Sequence, residues 1–233
     1  MIIRHDRSDR ECLVDAADWP AFTTFFNGHA AATLIAPRWL LTAAHVATLI
    51  PDGRLSVPIA GQRHKLGRVV VHPDFRSEWE TEDELEEADV PDLAVVELLT
   101  PVEDVDPVAL YEGDGECGMV VTLLGSGESG NGLRHVRAAD RHLRRATNRI
   151  DAVTDHWLVF NFDAPPGGTE LEGVSGQGDS GGPALINDDG RWLLAGVSSW
   201  QKTGRRPLST YGCIEHYTRV SRFVSWISAT CNL

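Results

Sequence analysis

Ala21-Phe22-Thr23-Thr24-Phe25-Phe26-Asn27-Gly28-His29-Ala30-Ala31-Ala32-Thr33-Leu34-Ile35 decides the fold class: two short apolar runs, 21–26 and 31–35, flank an Asn-Gly pair. Both central residues of a tight hairpin turn must tolerate positive φ, which Asn27 and Gly28 do, so the stretch reads as two antiparallel strands. The pattern repeats outward along the chain. Runs at 54–59, 66–71, 93–98, 120–124, 157–162, 183–186 and 192–197 are short and separated by turn residues, which points to an all-β barrel or sandwich. The end differs: Val220, Phe223, Val224 and Ile227 fall at helical spacing after Ser221, a candidate N-cap, and predict an amphipathic helix over 221–230.

The 233 residues carry 34 acidic and 21 basic side chains, a net charge of −13. A partner made of nucleic acid is excluded on that balance, because neutralising phosphates needs a basic face. With 42% hydrophobic residues the chain can build a core. No apolar run approaches the roughly 20 residues of a membrane span, and residues 1–10 are too polar for a signal peptide. A cytoplasmic location is thus favoured, and a secreted one follows if an upstream segment was removed. The four cysteines, Cys12, Cys117, Cys213 and Cys231, show neither Cys-x-x-Cys nor metal-ligand spacing, so free thiols and unusual bridges both stay open and no metal or cofactor is expected. The acidic run Glu78, Glu80, Glu82, Asp83, Glu84, Glu86, Glu87 and Asp89 reads as a solvated loop, with substrate steering or calcium binding as sharper alternatives.

Gly178-Asp179-Ser180-Gly181-Gly182-Pro183 places a serine in a glycine-rich turn where its hydroxyl can be exposed and backbone N–H groups can converge. Such turns are common, and serine is a weak nucleophile without a positioned base and a group that orients the base. Thr42-Ala43-Ala44-His45 and Asp92-Leu93-Ala94-Val95-Val96-Glu97-Leu98 offer both. Together with Val197-Ser198-Ser199-Trp200 and Tyr217-Thr218-Arg219-Val220, these segments resemble the trypsin-like serine peptidases, in the order His, Asp, Ser that the family uses.

The resemblance implies two six-stranded antiparallel barrels, about 19–110 and 115–220, in a single peptidase domain with the terminal helix. It implies a serine endopeptidase acting on protein or peptide substrates without cofactor: Ser180 as nucleophile, His45 as base, Asp92 as its orienting carboxylate, and the N–H groups of Gly178 and Ser180 as oxyanion hole. Ser199 matches the serine that bonds the triad aspartate, and Trp200 begins the strand that pairs with bound peptide. The acidic run leads into Asp92 and would overhang the upstream side of that peptide. The departures bear on selectivity. Counting back from Ser180 puts Val174, followed by Ser175, at the base of the primary pocket, which excludes trypsin-type recognition there; Gln177 lies in the same wall. Gln201 replaces an entrance glycine, and Glu215 either projects into the pocket, favouring lysine, arginine or large aromatics, or turns away and leaves it apolar. Family members are activated when a new N-terminal amine pairs with the aspartate before the nucleophile; here Ile2, after loss of Met1, is expected to supply it to Asp179. A selective intracellular protease that activates a partner, such as a bacterial defence effector, and a pseudoprotease binding module are the competing readings. Oligomeric state is not legible.

Overall fold

The computed structural model describes residues 1–51, 55–77, 81–133 and 138–233; Arg54, Glu78 and Glu80 of the runs named above lie outside them. Strands Phe22–Phe25 and Ala30–Ala36 pair antiparallel as the opening sequence requires, with Phe25 opposite Ala30 and positive φ at Phe26, Asn27 and Gly28 in the turn. They begin a six-stranded sheet that continues through Trp39–Thr42, Ala94–Leu98, Gln62–Val71 and Ser56–Ile59.

A second antiparallel sheet runs Arg144–Arg149, Val120–Gly125, Pro183–Asp188, Arg191–Lys202, Ile214–Arg219, Trp157–Asn161 and Ala152–Val153. Ala109–Leu110 adds to it parallel to Arg191–Lys202, so it has eight strands where six were expected. Both sheets are curled, and the architecture is all-β with a short C-terminal helix.

One apolar cluster joins the sheets. Leu34, Leu41 and Val95 of the first and Leu185, Leu194 and Val197 of the second are all buried in it, together with Phe223 and Ile227 of the C-terminal segment. Each side chain of this size removes surface worth about 1.5–3 kcal/mol from water, so docking of the sheets and the core are one energetic unit. A second cluster, including Val121, Leu123, Phe160 and Tyr217, lies within the second sheet and also receives Met1 and Ile3.

Two local expectations are corrected. The acidic run forms a seven-residue helix, Glu82–Ala88, because Thr81 caps it by accepting the Glu84 N–H at 3.1 Å and three acidic residues fall in its first turn, where the helix dipole favours them. At the C-terminus, Ser221 is not a cap: its hydroxyl donates to Glu116 at 2.6 Å, beside the buried bidentate pair Arg219–Glu116. The segment therefore starts as a 3-10 turn, Val220–Phe223, and becomes α-helical only over Val224–Cys231. All four cysteines are free thiols, and only Cys117 is exposed. No described helix is long and apolar enough to cross a membrane.

Candidate active site

His45 lies in the short helix Ala44–Ala47 directly after strand Trp39–Thr42, and Asp92 lies just before strand Ala94–Leu98. Those strands are paired with Thr42 opposite Ala94, which sets the two residues side by side. The His45 N–H donates to Asp92 Oδ1 at 2.9 Å, and its Nδ1 lies 2.6 Å from Oδ2. Ser199 Oγ donates to the same Oδ2 at 2.5 Å, and Thr218 Oγ1 donates to the Asp92 carbonyl at 2.8 Å. With Nδ1 turned to the carboxylate, Nε2 is the nitrogen left to take a proton.

Burial alone would raise the Asp92 carboxyl, but the His45 charge and the hydrogen bonds from His45 and Ser199 outweigh it and hold Asp92 below its ordinary value. For His45, burial opposes the cation, yet the charge and hydrogen bond of Asp92 prevail and raise the imidazole. The pair is thus built to stabilise an imidazolium.

The Ser180 loop is shaped by glycine. Gly178 has φ +96° and Gly181 φ +81°, and a Cβ on Gly181 would meet the Ala31 carbonyl oxygen and Thr42 Oγ1, both at 2.3 Å. The N–H groups of Asp179, Gly181 and Gly182 donate to Gly176, Ser198 and Asp179 carbonyls. Among the described residues the N–H groups of Gly178 and Ser180 meet no acceptor. The Ser180 carbonyl accepts from Ala31 N at 2.8 Å, and Thr42 Oγ1 donates to the Ala31 carbonyl at 2.8 Å. Each sheet therefore holds a residue of the other: the second grips Asp92, and the first grips Ser180.

Asp179, 1% exposed, accepts Gly127 N–H at 2.7 Å and Gly176 N–H at 2.8 Å, and its Oδ2 lies 2.6 Å from the α-amino group of Met1. That amine also donates to the Glu128 carbonyl at 2.5 Å. With Met1 present, Ile2–Ile3 is a buried strand between Gly130–Asn131 and Gly173–Val174, and the ammonium at Asp179 is that of Met1; the expectation for Ile2 concerns the chain after loss of Met1.

A cavity of about 210 Å³ opens beside Ser180 and includes Ser175, Gln177, Gly178, Trp200 and Gln201 in its walls. Val174 is not among them; fully buried, it packs with Ile2, Phe162 and Cys213, which corrects its expected place at the pocket base. Glu215 turns toward the pocket without reaching its surface. Its carboxyl accepts the Ser175 N–H at 3.0 and 2.9 Å and bonds the Ser175 hydroxyl. Burial without a cation raises it to about 7, against the hydrogen bonds from Ser175 and Gln201. Above it, Gln201 Nε2 donates to the Ser175 carbonyl at 3.0 Å, and its Oε1 accepts the Ser209 N–H at 2.9 Å. Gln201 thereby ties two walls together, and Glu128 adds an acidic residue to the lining of the pocket.

A second cavity, of about 280 Å³, holds His45 and Asp92 and shares Ser199 and Trp200 with the first. Leu85 of the acidic helix lines it, so this helix does border the site. Two of its carboxylates are engaged locally: Glu82 accepts the N–H groups of Thr203 and Gly204, each at 2.9 Å, and Asp83 lies 2.6 Å from Lys202 Nζ. Among the described residues no group of three or more acidic, histidine or cysteine side chains is placed to hold a metal. Ser209 has no place in the sequence reading, and Glu82 figures there only as a member of the acidic run, without its bonds to Thr203 and Gly204.

Residues 10–227 match the family model described as Trypsin. Two mouse proteins are similar: complement C1r-B subcomponent, 29% identical over 247 residues covering 90% of this chain and 32% of that protein, and complement C1r-A subcomponent, 28% identical with the same shares. The chain thus spans about a third of the length of these curated relatives. Mouse neuropsin, a serine protease expressed in the limbic system, superposes with a TM-score of 0.71 at 20% identity, covering 94% of this chain and 98% of that one, a likeness of fold.

Proposed function

Because the chain belongs to the trypsin family, we propose that it is a serine endopeptidase working through an acyl-enzyme on Ser180. The observation that carries the reading is the pair of N–H groups at Gly178 and Ser180 without acceptors, together with a histidine already paired with a buried aspartate in the adjoining cavity that shares Ser199 and Trp200. Ser180 Oγ attacks the scissile carbonyl carbon while its proton passes to His45 Nε2. Asp92 stabilises the imidazolium, and the two N–H groups bind the oxyanion; such donors are worth about 2.7–4 kcal/mol. The imidazolium then protonates the leaving amine, and water, deprotonated by His45, releases the acid.

The primary pocket, walled by Ser175 and Gln201 with the Glu215 carboxyl buried behind Ser175, supports selection by neutral hydrogen-bonding groups in place of a fixed aspartate at Val174. The Met1 amine supports the active loop geometry by neutralising Asp179, since removing one partner of a buried pair costs about 3–5 kcal/mol. Labelling with a fluorophosphonate tests both points. The wild type should acquire the label on Ser180, Ser180→Ala should not, and acetylation of the Met1 amine should slow labelling at least tenfold. Labelling that survives Ser180→Ala would refute the assignment.

A further inference from the structure

Gly178 and Ser180 have two sides. On one they line the cavity formed with Ser175 and Gln201, where the side chain before the cut would sit. On the other, a Cβ at Gly178 would lie 3.1 Å from Arg141 Nη1 and 3.2 Å from the Gly28 carbonyl oxygen. Arg141 Nη1 donates to that same carbonyl at 2.6 Å, and its Nη2 lies 3.1 Å from the ring nitrogens of His29. Gly28 and His29 lead into Ala31, whose N–H holds the Ser180 carbonyl. Neither Arg141, Gly28 nor His29 lines either cavity of the site.

A substrate whose acyl side fills the Ser175–Gln201 pocket must send its leaving side away from that pocket, past the Gly178 oxyanion donor. The guanidinium stands there. It is partly exposed, and among the described residues no carboxylate lies within ion-pair reach of it, whereas Arg4, Arg144 and Arg219 each hold one. Arg141 also adopts φ +62°, a left-handed conformation that arginine rarely takes, and the Gly28 carbonyl fixes the side chain that results.

We propose that Arg141, steadied by Gly28 and flanked by His29, reads a carboxylate one or two residues after the scissile bond, so that the preferred substrates carry aspartate or glutamate on the leaving side. The assignment rests on the peptidase reading above and adds a selectivity to it. A fixed cation also suits this chain, whose net charge of −13 would otherwise repel acidic segments.

The test uses the full chain and synthetic peptides that differ only in the first and second residues after a mapped cut: glutamate, glutamine or lysine. The wild type should show kcat/KM about three- to five-fold higher for glutamate than for glutamine, the size of a partly exposed ion pair. The ratio should shrink between about 20 mM and 500 mM salt. Arg141→Lys should keep the order, and Arg141→Glu should invert it in favour of lysine. Equal rates for glutamate and glutamine in a wild type that labels at Ser180 would overturn this inference alone. A ratio unchanged in Arg141→Glu would overturn it too. Should Arg141→Glu fold poorly, the wild-type salt series decides, and a preference indifferent to salt refutes the charge readout. A wild type that fails to label at Ser180 brings down the peptidase reading and this selectivity with it.

Discussion

Asp92 and Glu215 are both buried carboxyl groups that receive several hydrogen bonds, yet they are held in opposite states. Asp92 faces an imidazole that can carry positive charge, and its pKa is lowered; Glu215 faces Ser175 and Gln201, neutral donors only, and is raised to about 7. Hydrogen bonds of similar number and length thus do not decide ionisation. The presence of a cation within contact does. One position can therefore hold a permanent charge for chemistry, while the other closes a pocket as a mostly neutral acid below neutrality.

The severest way to break this comparison is to neutralise the ionised partner. Asp92→Asn should leave the fold in place and lower kcat by about 10⁴-fold, because the imidazole loses both its tautomer and its counter-charge. A loss below tenfold would remove Asp92 from the site. In the wild type the raised His45 pKa sets the acid limb: activity should fall as pH drops through a value above the usual 6.5 of histidine, since only neutral imidazole accepts the serine proton.

Glu215 gives the opposite experiment. Its carboxyl keeps its proton in the folded state up to about 7, whereas the unfolded group releases it near 4.5, so rising pH destabilises the fold across that window and then levels off. Glu215→Gln should erase this slope. At pH 8 it should gain up to about 3 kcal/mol relative to wild type, with little difference at pH 4. Denaturant unfolding at the two pH values checks it, and parallel slopes for both proteins would mean that Glu215 is ionised throughout.

The smallest effect sharpens the contrast with a carboxylate near the surface. Glu82 is lowered: burial opposes this, but the hydrogen bonds from Gly204 and Thr203 prevail. Glu82→Gln should loosen the helix from 203–204 by about 0.5–1.5 kcal/mol and raise KM for peptides that extend upstream of the cut. An unchanged KM would detach that helix from substrate binding.

What the sequence disclosed follows the range of the forces involved. The Asn27-Gly28 turn, the strands on either side and the segments around His45, Asp92 and Ser180 are governed by neighbours in the chain, and alternation and glycine placement expose them. The pocket is different. Ser209 reaches the Ser175 carbonyl across 34 positions, and Gln201 meets Glu215 across 14. Position relative to Ser180 and Trp200 brings Ser175 and Gln201 to the pocket in the sequence, but no local pattern marks the contacts that tie them to Ser209 and Glu215 or that pack Val174 away with Ile2 and Phe162. The place of the Met1 amine is likewise set at a distance, by the register of Ile2–Ile3 with Gly130–Asn131 and Gly173–Val174.

The reciprocal grip between the sheets has a consequence for what the site can sense. Ser199 secures the Asp92 carboxylate and Thr218 its backbone carbonyl, while Ala31 secures the Ser180 carbonyl from the other half. The arrangement works as a coincidence detector: any loosening of the seam disturbs both ends of the proton path in a single event. Separating the two sheets would therefore undo the contacts of Asp92 and of Ser180 together.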